Sequence, residues 1–207
     1  SYNPAAGTVL PAGNNQTLNT IFTPTDASNY NNTSASVQIN VNSLINPVIT
    51  WATPSAITFG TALSAAQLNA TANTPGTFSY SPTLGTILNA GNQTLSVLFT
   101  PTNGSTFNTA NASVTLVVNK ANPILTWATP SAITFGTALS GTQLNASANV
   151  AGTFTYNPLS GSIPNAGTQT LSVSFVPSSA NYNNGNASVP LLVNKATPII
   201  SWANPAN

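Results

Sequence analysis

The sequence predicts an all-β chain of tandem two-sheet sandwiches with about seven short strands each. Apolar and polar residues alternate at period two in several stretches, and the breaks between them are rich in Asn, Gly and Pro. The whole pattern also recurs. "WATPSAITFGTALS" stands unchanged at 51–64 and 127–140, and Trp51, Trp127 and Trp202 are spaced by 76 and then 75 residues. Solenoid coils repeat every 20–50 residues or so, and this longer interval suits self-contained β domains in a row.

The interval divides the chain into a truncated repeat at 1–45 with C-terminal strands only, whole repeats at 46–121 and 122–196, and the first strand of a further repeat at 197–207. In the middle repeat, strands are expected near 48–51, 56–60, 67–72, 77–81, 85–88, 93–100 and 112–118. Trp51 and Trp127 close the first strand, either as core anchors near the joint or half-exposed on an early edge strand. "GTFSYSP" at 76–82 answers to "GTFTYNP" at 152–158, with "SYNP" at 1–4 as its remnant. "NAG" at 89–91 and 165–167, and "PAG" at 11–13, each offer a Gly for positive φ between strands.

"QTLSVLFTPT" at 93–102 answers to "QTLNTIFTPT" at 16–25 and "QTLSVSFVPS" at 169–178. Leu95, Val97 and Phe99 fall on one face; the outward Leu98 becomes Ser174 in the next copy, as a half-buried strand allows. The closing strand points Val114, Leu116 and Val118 inward, and then Val189, Leu191 and Val193. Pro190 points outward and lacks an N–H, which predicts an edge or a bulge.

Taken together, "NPILTWATPSAITFGTALSGTQLNASANVAGTFTYNP", "NAGTQTLSVSFVPSSANYNN" and "VNKATP" resemble the bacterial immunoglobulin-like (Big-type) tandem repeats of long surface and secreted proteins. The resemblance covers essentially the whole chain. It implies immunoglobulin-like β-sandwiches, an extracellular or cell-surface location and a spacer or fibre-building role. It supplies no catalytic residue.

Composition bounds the chemistry. Asp26, Lys120 and Lys195 are the only charged side chains, and Glu, Arg, His, Cys and Met are absent. Ordinary domains carry roughly a quarter charged residues. General acid–base catalysis needs a group titrating near working pH, and paired-carboxylate hydrolysis needs two carboxylates. A Ser or Thr nucleophile has no His to activate it. No enzyme, cofactor or metal site is expected. Two Lys do not neutralise a row of phosphates, so nucleic acid is not an expected partner. No apolar run is long enough to insert into a membrane. An isopeptide bond from Lys120 or Lys195 to an Asn would require a buried acid, and neither whole repeat contains one. With so little to titrate, stability is expected to be nearly flat between about pH 3 and 9.

Nine Asn-x-Ser/Thr sequons are about what the composition yields by chance. In a glycosylating host, Asn31, Asn32, Asn103 and Asn186, near the loop before the last strand, are the expected acceptors. Tyr30, Phe107 and Tyr182 occupy equivalent loop positions. They either cover the end of their own sandwich or stack on a sugar.

Sheet edges are ordinarily protected by charge, and this chain has almost none. Its expected partners are therefore copies of itself, adjacent repeats of the same long chain, or glycans. The function expected is a structural module of an extracellular filament, stalk or surface fibre. The alternative is a carbohydrate- or ice-binding, adhesin-like surface. The truncated repeat keeps the apolar faces of Leu18, Phe22, Val37, Ile39 and Val41, and the last segment carries Ile199, Ile200 and Trp202. Head-to-tail contact would let one copy's last segment complete the next copy's open repeat by strand addition. The chain reads either as such a subunit or as a window of a longer repetitive protein.

Overall fold

The structure, a computed structural model, describes residues 1–203. It is all-β. Among the described residues there is no helix, hence none long and apolar enough to cross a membrane. The chain falls into two compact units. One comprises Ser1–Ala52, Asn69–Ser81 and Ser96–Ser113, and the other Thr53–Leu68, Pro82–Leu95 and the chain from Val114 on.

The first unit opens with β1 (Tyr2–Asn3), β2 (Gly13–Phe22) and β3 (Thr33–Val41), an antiparallel sheet in the order β1-β2-β3. Tyr2 lies opposite Thr20, Leu18 opposite Val37, and Gln16 opposite Ile39. At period two, Tyr2, Leu18, Phe22, Val37 and Ile39 therefore share one face. The start of β2 holds one Asn more than its counterparts, "GNNQ" against "GNQ" and "GTQ". That residue forms a bulge: the register shifts between Gly13 and Gln16, and Asn15 takes φ 56°. Gly91 and Gly167 adopt the expected positive φ, but in "PAG" Asn15 takes it in place of Gly13, as Asn tolerates the left-handed region. The Asn15 N–H donates to Asn40 Oδ1 at 2.8 Å.

The same unit contains β4 (Ile49–Thr50) paired with β6 (Thr71–Ala72), and β7 (Gly76–Ser81) paired with β8 (Gly91–Pro101) through Ser96–Pro101. Trp51 meets Tyr80 edge-on at 5.4 Å, and Phe78 lies against Phe99 at 4.8 Å.

In the second unit, β5 (Ile57–Thr58) runs parallel to the end of β9 (Ala110–Asn119), with Ile57 opposite Val118. The sheet they belong to has the order β5-β9-β8-β7. The third repeat follows the same plan. β10 (Leu125–Thr126) pairs with β12 (Ser147–Ala148). β11 (Ile133–Thr134), β13 (Gly152–Asn157), β14 (Gly167–Pro177) and β15 (Gly185–Asn194) form a sheet in the order β11-β15-β14-β13. Its buried cluster is Leu139, Leu144, Leu171, Val189, Leu191 and Val193, with Trp127, Ile133 and Tyr156 packed against it. Trp127 is thus a partly buried anchor: its ring meets Tyr156 edge-on at 5.4 Å while Nε1 donates to the Gln143 carbonyl at 3.0 Å.

Each whole repeat holds six strands rather than the expected seven or so. The strand expected at 85–88 shrinks to one bridge, Ala62 opposite Ile87. Gly85 turns the chain at φ 84°, and Leu63 takes both of its backbone bonds from this corner, to Thr86 O at 2.9 Å and from Gly85 N at 2.8 Å. Pro190 sits opposite Thr170 on β15, which β11 covers only at Val193 and Asn194. Beside Pro190 that side of the strand is open, so a residue without an N–H fits there. Residues 197–203 form no strand, and Ile199, Ile200 and Trp202 are exposed; the remainder of the expected strand, 204–207, lies outside the described residues.

Gly76 and Gly152 start β7 and β13 beneath the rings of Phe99 and Phe175. A Cβ on Gly152 would land on the Phe175 ring and 2.5 Å from the Val176 carbonyl oxygen. Gly152→Ala is expected to lower stability by about 2 kcal/mol through overpacking, read as a fall in the denaturation midpoint.

Candidate functional site

Among the described residues no three His, Cys, Asp or Glu side chains come together, and the features that stand out are the joints and the exposed face of the first sheet. The joint of the second unit is built from residues 119–122, the loop at 181–183, Asn89–Ala90 and Phe59. Asn119–Ala121 leaves β9, and Ala121 pairs in parallel with Tyr182: its N–H donates to Asn181 O at 3.0 Å and its carbonyl accepts from Asn183 N at 2.8 Å. The Asn183 side chain donates to Asn122 Oδ1 at 2.7 Å. The loop then reaches the preceding repeat. Asn181 Oδ1 accepts from Ala90 N at 2.8 Å, Asn181 Nδ2 donates to Asn89 Oδ1 at 3.0 Å, and the Tyr182 ring meets Phe59 edge-on at 5.5 Å. Tyr182 therefore contacts the neighbouring repeat, where the sequence suggested a cover for its own sandwich end or a sugar platform.

The first unit repeats the inner half of this device. Ile45 pairs in parallel with Phe107, its N–H donating to Thr106 O at 2.8 Å, and Asn108 donates from its side chain to Asn46 Oδ1 at 2.7 Å. Sequence reasoning singled out the loop aromatics but missed Phe59, Asn89 and the Asn pairs 46/108 and 122/183. The signal was available: an Asn before Pro at each of these joints, and an Asn after each loop aromatic.

The first sheet presents the second feature. Phe22 aligns with Phe99 and Phe175, and Ile39 with Leu116 and Leu191. The four residues in the whole repeats are 0% exposed, whereas Phe22 is 63% and Ile39 39% exposed. A groove of about 400 Å³ lies along this face, lined by Tyr2, Pro4, Leu10, Leu18 and Ile39 among others. Val37 is exposed too, and Leu18 and Val41 are only half-buried.

The remaining candidates lie apart. Lys120 and Lys195 are exposed beside the joints, without the burial an isopeptide bond needs. Asn31, Asn32, Asn103 and Asn186 are exposed as well. Asn103 Oδ1 accepts from Ser105 Oγ at 2.7 Å. Asp26 shapes the loop before Tyr30, accepting from Asn29 Nδ2 at 2.8 Å and from the N–H groups of Ser28 and Asn29 at 3.2 Å. The Asn29 side-chain amide, helped by those N–H groups and opposed by slight desolvation, holds its carboxyl below the ordinary 3.8.

In comparison with known proteins, no family model matches the chain and no curated relative does.

A carboxyl with a depressed folded-state pKa contributes stability that is present above its unfolded pKa and is lost as pH falls through the folded one. The unfolding midpoint is expected to stay flat from about pH 5 to 8 and to decline slightly only below about pH 4. Asp26→Asn should remove most of that acid decline in a pH series of thermal melts.

Proposed function

We propose that the chain is a structural module of an extracellular filament, stalk or surface fibre, built from tandem immunoglobulin-like sandwiches that join head to tail. The observation that carries the reading is the uncovered core face of the first repeat: Phe22 and Ile39 are exposed where their counterparts are fully buried. A soluble domain seldom leaves such a face bare. The last segment offers a matching cover. Ile199, Ile200 and Trp202 occupy the places of Ile124, Leu125 and Trp127, and Trp202 is 88% exposed.

In both whole repeats this Trp meets a Tyr edge-on, Trp51 with Tyr80 and Trp127 with Tyr156. The corresponding Tyr of the first repeat is Tyr2, 73% exposed on the groove. Strand addition by a neighbouring copy would bring Trp202 to Tyr2 and cover the groove. Such a contact is heterologous and need not close, so it propagates into a fibre. The sandwich assignment is supported by the presence in each whole repeat of one two-stranded ribbon and one four-stranded sheet and by the buried cluster of the third repeat. The extracellular location follows from the resemblance to bacterial surface repeats. The engagement of Tyr182 with Phe59 removes one aromatic from the alternative, a carbohydrate-binding surface.

Sedimentation velocity across a concentration series tests the reading. Species growing with concentration are expected, with Trp202→Ser sharply reducing their size. A chain that sediments as one monomer at every concentration contradicts it.

A further inference from the structure

The connection between the middle and third repeats is hydrogen-bonded along its length, within the second unit. Asn119 O accepts from Phe59 N at 2.8 Å, Ala121 bonds through its N–H and its carbonyl to the loop at 181–183, and Asn122 Oδ1 accepts from Asn183 Nδ2. Ile124 then bonds twice to Asn149, its N–H donating to Oδ1 at 2.8 Å and its carbonyl accepting from the N–H at 3.1 Å. No two successive residues of the connection are left without a bond. A hinge needs loop residues free to absorb changes in φ and ψ, and this connection offers no run of them.

Phe59 stands at the centre of the arrangement. It follows β5, whose Ile57 and Thr58 lie opposite Val118 and Asn119 at the end of β9. Its N–H is tied to that strand, while its ring meets Tyr182 of the third repeat edge-on at 5.5 Å. Asn181 bonds to the middle repeat and to the connection at once. Its Oδ1 accepts from Ala90 N, its Nδ2 donates to Asn89 Oδ1, and its carbonyl accepts from Ala121 N. The receiving turn is itself held, by Gln93 Nε2 donating to the Asn89 carbonyl at 3.0 Å.

We propose that the loop at 179–183 is a latch on the middle repeat: β5 separates from β9 only when Tyr182 leaves Phe59 and Asn181 leaves Asn89 and Ala90. The inference rests on the tandem-repeat reading above and is independent of any contact between copies. Couplings of this kind are reciprocal, so the middle repeat holds the loop as firmly as the loop holds the repeat. Neighbouring repeats then open together, through the interface term between them. Neutral amides and rings make the latch, and salt screens them far less than it screens ion pairs.

Two details separate a latch from an incidental contact. First, both polar atoms of the Asn181 side chain are engaged, and its bond with the Ala90 N–H is part-buried. A donor that loses its acceptor in such a place is costly. Second, the device recurs. Phe107 holds the place of Tyr182 in the middle repeat, and Ile45 pairs with it in parallel as Ala121 does with Tyr182. A Phe at this place makes the ring, not the hydroxyl, the working part.

Amide-resolved hydrogen exchange of the full chain tests the latch, at a dilution where sedimentation shows a monomer. The readout is the Phe59 amide, whose bond to Asn119 no substitution in the loop removes. Tyr182→Ser should speed its exchange by about tenfold, as loss of a packed aromatic pair would. The Phe135 amide, which makes the equivalent 2.8 Å bond to Asn194 O, should keep its parent rate. Tyr182→Phe should leave both amides unchanged. Asn89→Ala, on the exposed receiving turn, should speed the Ala121 amide, whose bond to Asn181 O it leaves in place. A Phe59 amide unmoved by Tyr182→Ser overturns the latch and leaves the tandem-repeat reading standing. If Tyr182→Ser speeds Phe59 and Phe135 alike, Asn89→Ala decides: a faster Ala121 amide supports the latch, and one at its parent rate overturns it. Exchange of every amide through one global opening, in parent and variants alike, would contradict the division into repeats and the latch with it.

Discussion

Everything in this fold depends on covering one apolar stripe. The hairpin β14–β15 presents Leu171, Val173, Phe175, Val189, Leu191 and Val193 on a single face, and its counterpart β8–β9 presents the same pattern. Burying a Leu, Val or Phe side chain contributes about 1.5–3 kcal/mol, so a stripe of six dominates a small domain. The elements around it are short, and their role is to bring Trp127, Ile133 and Tyr156 against it. In the first repeat the hairpin β2–β3 is present, and among the described residues no such element lies against it. Its Phe22 and Ile39 show what the stripe looks like when nothing lies on top.

The second constraint is the near absence of charge. With three charged side chains, the chain cannot organise its joints by ion pairs, and neutral amides take their place. Asn pairs at 46/108, 122/183 and 89/181 hold the joints at 2.7 to 3.0 Å. Such bonds are insensitive to pH and much less screened by salt than ion pairs. Inside the domain, Gln143 is the buried polar side chain among the described residues, and it is satisfied by the Ser140 N–H and hydroxyl. A surface with so little repulsion is compatible with close, repeated self-contact.

Much of the fold was legible because period-two patterns report burial directly. Phe99, Leu116, Phe175 and Leu191 were assigned inward from the alternation alone and are fully buried. The seventh strand was not legible, because the apolar Ile87 and Leu88 resemble a strand while Gly85 turns the chain out of one. The bulge at Asn15 was legible only as a one-residue insertion, and its meaning needed the register. The joint was half legible. Tyr182 could be singled out as a recurring loop aromatic, but its partner Phe59 is distant in sequence and gives no local sign of what it meets.

The central claim is that the apolar face of β2 and β3 takes its cover from outside residues 1–45, whether a flanking repeat or another copy, and hydrogen–deuterium exchange tests it most directly. In a dilute monomeric sample, the amides of β2 and β3 should exchange much faster than their counterparts in β14 and β15, because local opening exposes little further apolar surface. Their protection should rise with chain concentration, while that of β14 and β15 stays constant. Protection of β2 and β3 equal to that of β14 and β15 in the monomer would contradict the account.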